Sequence, residues 1–212
     1  MRQPTPKQFL ADVAAHQMTV RHEDGIYRHI RFKKPNSYNM YFDLVTWPGY
    51  LNISGDMGTW TFARLEDMFE FFRCSEGLKI NPYYWSEKLK HGNYQGRDGA
   101  KVYDDDLFRE RLKEQLTDYY SLEGDELRQI SGALEEEVLS QDCKYDLLIA
   151  ARDFNFRFDD GRTFKFDCCE LPDGEDYSYH FIWCCYAIVW GIQQWDARAA
   201  AKQGLLEVWE RK

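Results

Sequence analysis

The stretch YNMYFDLVTWPGYLNISGDMGTWTF, residues 38–62, decides the fold. Tyr38, Met40, Phe42 and Leu44 recur at every second position up to Trp47, the period of a strand with one buried face. Pro48-Gly49 then turns the chain into residues 50–54, and Gly55-Asp56-Met57-Gly58 turns it again into residues 59–62. Upstream, residues 18–23 and 26–33 flank Asp24-Gly25, a pair that tolerates the positive φ angles of a tight hairpin. These segments predict an antiparallel meander of up to five strands. In its second strand Ile26, Arg28, Ile30 and Phe32 share one face, while Tyr27, His29, Arg31 and Lys33, extended by Lys34, share the other. An apolar sheet face needs a cover, and Leu65, Met68, Phe69 and Phe72 supply one at helical spacing within residues 65–73.

Outward from the meander the pattern is mainly helical. Phe9, Leu10, Val13 and Ala14 form a short stripe behind a Thr5 cap. Residues 81–99 read as a short helix followed by a loop, and residues 145–151 as a further apolar segment. Asp104, Asp105 and Asp106 precede a stripe of Phe108, Leu112, Leu116 and Tyr119, since carboxylates favour the positive end of a helix. Leu127, Ile130, Leu134 and Val138 form a second stripe, joined to the first through Gly124. Phe154, Phe156 and Phe158, an Asp160-Gly161 turn, and Phe164 and Phe166 predict a later hairpin. Residues 177–201 are apolar around most of a helical circumference, which marks a buried helix, with Gly191 allowing close backbone approach. The expected fold is a single α+β domain over residues 1–212: an antiparallel β-meander plus a later β-hairpin, packed against several helices including a buried C-terminal one.

With 17% aromatic and 30% charged residues, the chain has the makeup of a soluble globular protein and not of a disordered one. Its first six residues lack the basic-then-apolar run of a secretory signal, and residues 181–192, the longest apolar stretch, are too short to span a bilayer, so a cytosolic location without membrane attachment is expected. Six cysteines include the adjacent pairs Cys168-Cys169 and Cys184-Cys185, which lack chelating spacing and read as reduced, small apolar groups. No metal or other cofactor is indicated.

No catalytic signature is complete. Asp159-Asp160 sits in a hairpin turn, where Asp is common for backbone reasons. His180 and Cys184, four residues apart on one helix, have the spacing of a thiol–imidazole pair. The Gly55–Gly58 turn lacks the following Lys-Ser/Thr of a phosphate loop. An alternative site for a small metal-dependent enzyme acting on nucleic acid or a nucleotide is Asp173, Glu175, Asp176 and His180. A third reading places a nucleic-acid strand on the basic and aromatic face that includes Arg31 and Lys33, although an isoelectric point near 5.1 argues against nucleic acid as a partner.

Charge distribution points elsewhere. Residues 103–142 carry thirteen acidic side chains and four basic ones, and outside them the two signs balance at twenty-three each. Such a confined surplus repels nucleic acid and attracts a basic partner, and carboxylates along helices can imitate a phosphate backbone. Asp104, Asp105, Asp106, Glu110, Glu114, Asp118, Glu135 and Glu136 are the residues expected to face a host protein with a basic surface.

Three stretches also carry a likeness: residues 41–49 (YFDLVTWPG), residues 53–73 running from ISGDMGT to RLEDMFEFFR, and residues 180–188 (HFIWCCYAI). Together they resemble a family of uncharacterised accessory proteins encoded by tailed bacteriophages and prophages. The likeness covers the meander, its first helix and the C-terminal helix, and leaves out the acidic middle. It implies work in the host bacterial cytoplasm, where accessory proteins of this size often inhibit restriction, CRISPR or nucleotide-signalling defences, and it brings no catalytic residues with it.

Overall fold

The computed structural model describes residues 3–92, 99–167 and 169–210, with side chains as far as residue 203. The architecture is α+β, and its largest element is a six-stranded antiparallel sheet in simple meander order. The strands are β1 (Gln17–Asp24), β2 (Tyr27–Lys33), β3 (Phe42–Trp47), β4 (Tyr50–Gly55), β5 (Gly58–Ala63) and β6 (Leu89–His91). Five are the strands expected from the alternation. The sixth, three residues long, joins the edge of β5 by pairing Leu89 with Phe62 and His91 with Thr61, and it occupies part of the segment expected as a loop. The rest of that expected loop, residues 93–98, lies outside the described residues, as does Cys168.

Two boundaries differ from the periodic reading. β3 begins at Phe42 and not at Tyr38, because Met40 takes a positive φ of 55° and its amide is held by the Asp56 carboxylate at 2.7 Å. Helix α2 (Met68–Phe72) starts three residues later than expected, because Asp67 caps it by accepting the Phe69 amide at 2.9 Å. Leu65 is therefore exposed and takes no part in the cover.

The chain packs as two compact units, residues 1–102 with 177–212 and residues 103–176, where the sequence alone favoured one domain. In the first unit the sheet's apolar face meets α7 (Tyr179–Glu210), α1 (Pro6–Val13) and α2, with α3 (Pro82–Ser86) beyond. Ile30, Phe32, Leu44, Leu51, Ile53, Trp60 and Phe62 on the sheet are fully buried, as are Phe181, Trp183, Cys185, Ile188 and Ile192 on α7. α1 approaches α7 closely: the Trp183 indole N–H donates to Asp12 Oδ2 at 3.0 Å, and the Phe9 ring packs edge-on to Trp183 at 5.1 Å. Flanked by sheet and helices, α7 has no polar face over its first turns, which explains its unbroken apolar sequence. Among the described residues no helix is long and apolar enough to cross a membrane.

Arg28, placed by alternation on the apolar face of β2, is accommodated by pairing. Its guanidinium makes two 2.8 Å bonds to Asp67, the cap of α2, and lies 4.5 Å from the centre of the Phe69 ring. These bonds hold the Asp67 carboxyl below its ordinary value, against the opposing effect of burial and with help from the Phe69 amide.

The second unit has its own core. Helices α4 (Asp105–Asp118) and α5 (Gly124–Leu134), a π-helical turn (Glu135–Leu139) and α6 (Lys144–Asp153) contribute Phe108, Leu112, Leu116, Ile130, Leu134, Val138, Leu147 and Ala151. The predicted hairpin closes it as β8 (Phe156–Arg157) and β9 (Thr163–Phe164), two residues each, with Phe164 edge-on to Phe166 at 5.2 Å and Tyr120 at 4.9 Å. β7 (Lys101–Tyr103) and β10 (Glu175–Tyr177) form a further two-stranded sheet.

Two predictions follow from this packing. A Cβ at Gly191 would stand 2.7 Å from Leu44 Cδ1 and 3.2 Å from the Phe32 ring, so Gly191→Val should cost roughly 1–3 kcal/mol of overpacking, read from urea unfolding. Because the folded Asp67 carboxyl is depressed, its contribution is present above the ordinary carboxylate pKa and lost as pH falls through the folded value. Asp67→Asn should therefore destabilise the protein at pH 7 by roughly 1.5–3 kcal/mol, the worth of charged hydrogen bonds, and flatten the loss of stability as pH falls below the ordinary carboxylate range.

Candidate protein-binding surface

The residues expected to carry function fall in three places, described in turn. The acidic set lies in the unit of residues 103–176, which holds twenty-two acidic and nine basic side chains, against fourteen and eighteen in the rest of the chain. All of the negative surplus is therefore on this unit.

Within α4 the carboxylates divide by role. Asp104 is the N-cap, its Oδ1 accepting the amides of Asp106 at 3.0 Å and Leu107 at 3.2 Å, so it serves the helix. Asp105 is half-buried on the side nearer the core. Asp106, Glu110, Glu114 and Asp118 follow one another at intervals of four, are all exposed, and form one ridge along the helix. The buried row Phe108, Leu112 and Leu116 has the same interval, displaced by two residues. Two residues correspond to about 200° of helical rotation, so the acidic ridge points nearly opposite to the core.

Basic residues of the same unit neutralise part of this set. Arg109 binds Asp106 at 3.3 Å and turns its other nitrogens to the carbonyls of Leu139 at 3.3 Å and Gln141 at 2.7 Å, satisfying the end of the π-helical turn. Lys113 reaches Glu135 at 2.5 Å. These two cations join α4 to the π-helical turn and bring its exposed Glu135, Glu136 and Glu137 beside the α4 ridge. Among the described residues Glu110, Glu114, Asp118 and Glu136 make no ion pair. The sequence singled out the acids and missed Arg109 and Lys113, whose partners on the π-helical turn and just after it lie more than twenty residues away and leave no local pattern.

The alternative enzymatic set is divided. Asp173, Glu175 and Asp176 belong to residues 103–176, whereas His180 opens α7 in the other unit. Asp173 Oδ1 accepts the Glu175 amide at 2.8 Å, and its carbonyl accepts from Arg111. Among the described residues no group of three His, Cys, Asp or Glu side chains is arranged to hold a metal ion. The Asp160 carboxylate closes its own hairpin turn, bonding the Arg162 amide at 3.0 Å and its guanidinium at 2.7 Å. The thiol–imidazole reading is overturned: His180 is exposed, whereas Cys184 is buried, points its thiol toward the Met57 carbonyl at 3.6 Å, and is pushed well above its ordinary pKa by burial.

On the outer sheet face, Tyr27, His29, Arg31 and Lys33 do share one side of β2, as the alternation requires. Arg31 is, however, clamped by Asp43 through bonds of 2.8 and 2.7 Å, which raise its pKa. His29 Nε2 stands 3.3 Å from the same carboxylate, within ion-pair reach though not aligned as a hydrogen bond. Lys33 lies 3.9 Å above the Tyr38 ring. Asp43 is only 8% exposed, so the principal cation of this face already has its counter-ion.

Comparison with protein-family models, with curated proteins and with solved structures finds no match to this chain.

The joint between α4 and the π-helical turn generates a prediction. Arg109→Met would leave the Leu139 and Gln141 carbonyls without their donor and should destabilise the protein by roughly 1–3 kcal/mol, whereas Lys113→Met should change it by less than about 1 kcal/mol because that pair is exposed. Paired chemical-denaturation curves check the difference.

Proposed function

We propose that this protein binds a partner with a basic surface through the carboxylate ridge of α4, and that the partner is a host defence protein which the binding inhibits. The observation that carries the reading is the ridge itself: Asp106, Glu110, Glu114 and Asp118 at four-residue intervals, exposed and directed away from the core. Glu136 supports it from the neighbouring turn. A surface of this kind suits a groove lined by lysine and arginine that ordinarily receives phosphates, because each carboxylate replaces one phosphate charge at the rim. The phage and bacterial setting comes from the likeness of residues 41–49, 53–73 and 180–188 to accessory proteins of tailed phages. Asp106 and Glu135, paired with Arg109 and Lys113, and Asp104, spent on the helix cap, contribute less to the binding field than the four acids without ion pairs.

The test is a quadruple variant, Glu110→Gln, Glu114→Gln, Asp118→Asn and Glu136→Gln, compared with the native chain in affinity capture from a bacterial host lysate, read by mass spectrometry. The native protein should retain a basic partner at about 50 mM salt and release it at about 500 mM, where the screening length falls to a few ångströms. The variant should retain none at either salt while keeping its circular dichroism spectrum. Equal retention by both proteins would reject the ridge as the binding surface.

A further inference from the structure

We infer that the unit of residues 103–176 carries a binding site for a nucleoside phosphate, in a cavity formed by Tyr119, Tyr120, Arg152, Lys165, Phe166 and Asp167. The cavity measures about 490 Å³, within the range of roughly 300–1,000 Å³ usual for small-molecule sites. Its residues come from the end of α4, the last turn of α6 and the segment after β9, so three elements of one unit converge on it. No single stretch of sequence announces it.

The walls match the parts of such a ligand one by one. Phe166 is buried and forms an apolar floor, held in the aromatic cluster with Phe154 at 5.8 Å and Tyr120 at 5.9 Å. Tyr119 and Tyr120 stand edge to face at 4.9 Å, and Tyr119, 58% exposed, offers ring surface on which a base can stack. Tyr120 is fixed from the other side, its hydroxyl accepting the Asp167 amide at 2.9 Å. The exposed Tyr119 ring, braced edge to face by a fixed Tyr120, therefore lines the cavity.

Charge then divides the cavity: Glu170 and Asp167 make the Tyr119 side anionic and raise the pKa of that phenol, so a ligand's anionic group belongs with Lys165 and Arg152. In a unit where acids outnumber bases by more than two to one, Lys165 makes no ion pair among the described residues, although most of the unit's other cations bind a carboxylate, a carbonyl or a ring. Arg152 lines the same cavity, anchored by Asp153 at 2.8 Å. Two cations beside one opening suit a phosphate, and a guanidinium already oriented by a carboxylate loses little freedom when a phosphate oxygen approaches. Asp167 is an acceptor, with one oxygen taken by the Cys169 amide at 3.0 Å. A carboxylate in a site for a bare anion would be repulsive, whereas it can accept from ribose hydroxyls or an exocyclic amine. Stacking surface, paired cations and a lone acceptor together describe a nucleoside phosphate better than an inorganic anion or a simple aromatic acid. The inference is independent of the α4 ridge, which presents no cation.

The experiment is isothermal titration calorimetry on the full chain with the four ribonucleoside 5′-monophosphates, adenosine, inorganic phosphate and phenyl phosphate. At least one nucleotide should bind saturably below 1 mM, with adenosine, phosphate and phenyl phosphate each weaker by about tenfold or more. Tyr119→Ala and Lys165→Glu, both at exposed positions, should each weaken nucleotide binding about tenfold with an unchanged melting temperature. Absence of saturable binding for all four nucleotides, equal binding of phosphate or phenyl phosphate, or full affinity in folded Lys165→Glu would overturn the assignment.

Discussion

The contact on which the larger unit depends is the passage of α7 across the meander at Gly191. There the helix has no side chain, and the space is taken by Leu44 Cδ1 and the Phe32 ring. Helix and sheet come close enough at that point for Phe32, Phe42, Trp183 and Trp190 to interlock around it, with ring centroids between 4.8 and 6.2 Å. A larger residue would lift α7 from the sheet and open gaps between rings whose attraction falls steeply with distance. Meander register, α1 docking and the Arg28–Asp67 pair all presuppose that spacing. Heavy aromatic content is thus concentrated where one helix and one sheet face must fill a broad interface without polar atoms.

The acidic unit illustrates a different constraint. A carboxylate-rich pair of helices repels itself, and unfolding would relieve the repulsion. Arg109 and Lys113 meet that problem on the flank of α4 beside the π-helical turn, to which each also ties the helix. On the ridge only Asp106 shares in this, through Arg109, while Glu110, Glu114 and Asp118 make no ion pair among the described residues. Compensation along the row that meets the π-helical turn, and little along the ridge, is the distribution expected if folding fixes the first and association uses the second. Structural ion pairing and a binding field can therefore coexist on one helix because the cations at 109 and 113 and the acids at 110, 114 and 118 occupy separate, adjacent rows of its surface.

How much of this could be read in the sequence depends on the range of the interaction. The meander, the later hairpin and the buried C-terminal helix were legible because alternation and helical spacing are local, and because Asp24-Gly25, Pro48-Gly49 and Asp160-Gly161 mark turns by backbone preference alone. The ridge was partly legible: Asp106, Glu110, Glu114 and Asp118 were named, but together with Asp104, whose carboxylate is spent on a cap. The start of β3 was not, since Met40 is held by Asp56 from another turn. β6 was hidden by its length, and the Arg31–Asp43 clamp by the fact that an arginine on an open strand face looks the same whether or not a neighbouring strand supplies its counter-ion. Division of the packing into two cores was marked in the sequence only by the acidic shift that begins at residue 103, with no linker beside it, because residues 103–176 are apolar at the same spacings as the rest.

The aromatic and basic cavity belongs wholly to the illegible class, and the reason bears on how function is placed in this chain. Tyr119, Arg152 and Lys165 are individually unremarkable and lie more than ten residues apart, so only the closing of the small hairpin onto the helices brings them together. That hairpin is two residues per strand and owes its position to Phe154, Phe164, Phe166 and Tyr120 rather than to its own ladder. The same aromatic cluster that completes the second core thereby forms the floor of the cavity. Loosening it would dissolve the site before it unfolded the helices, whereas the α4 ridge needs only the helix. The two surfaces of this unit share the end of α4 but rest on different further packing, so a change that loosens the hairpin removes the cavity and leaves the ridge in place.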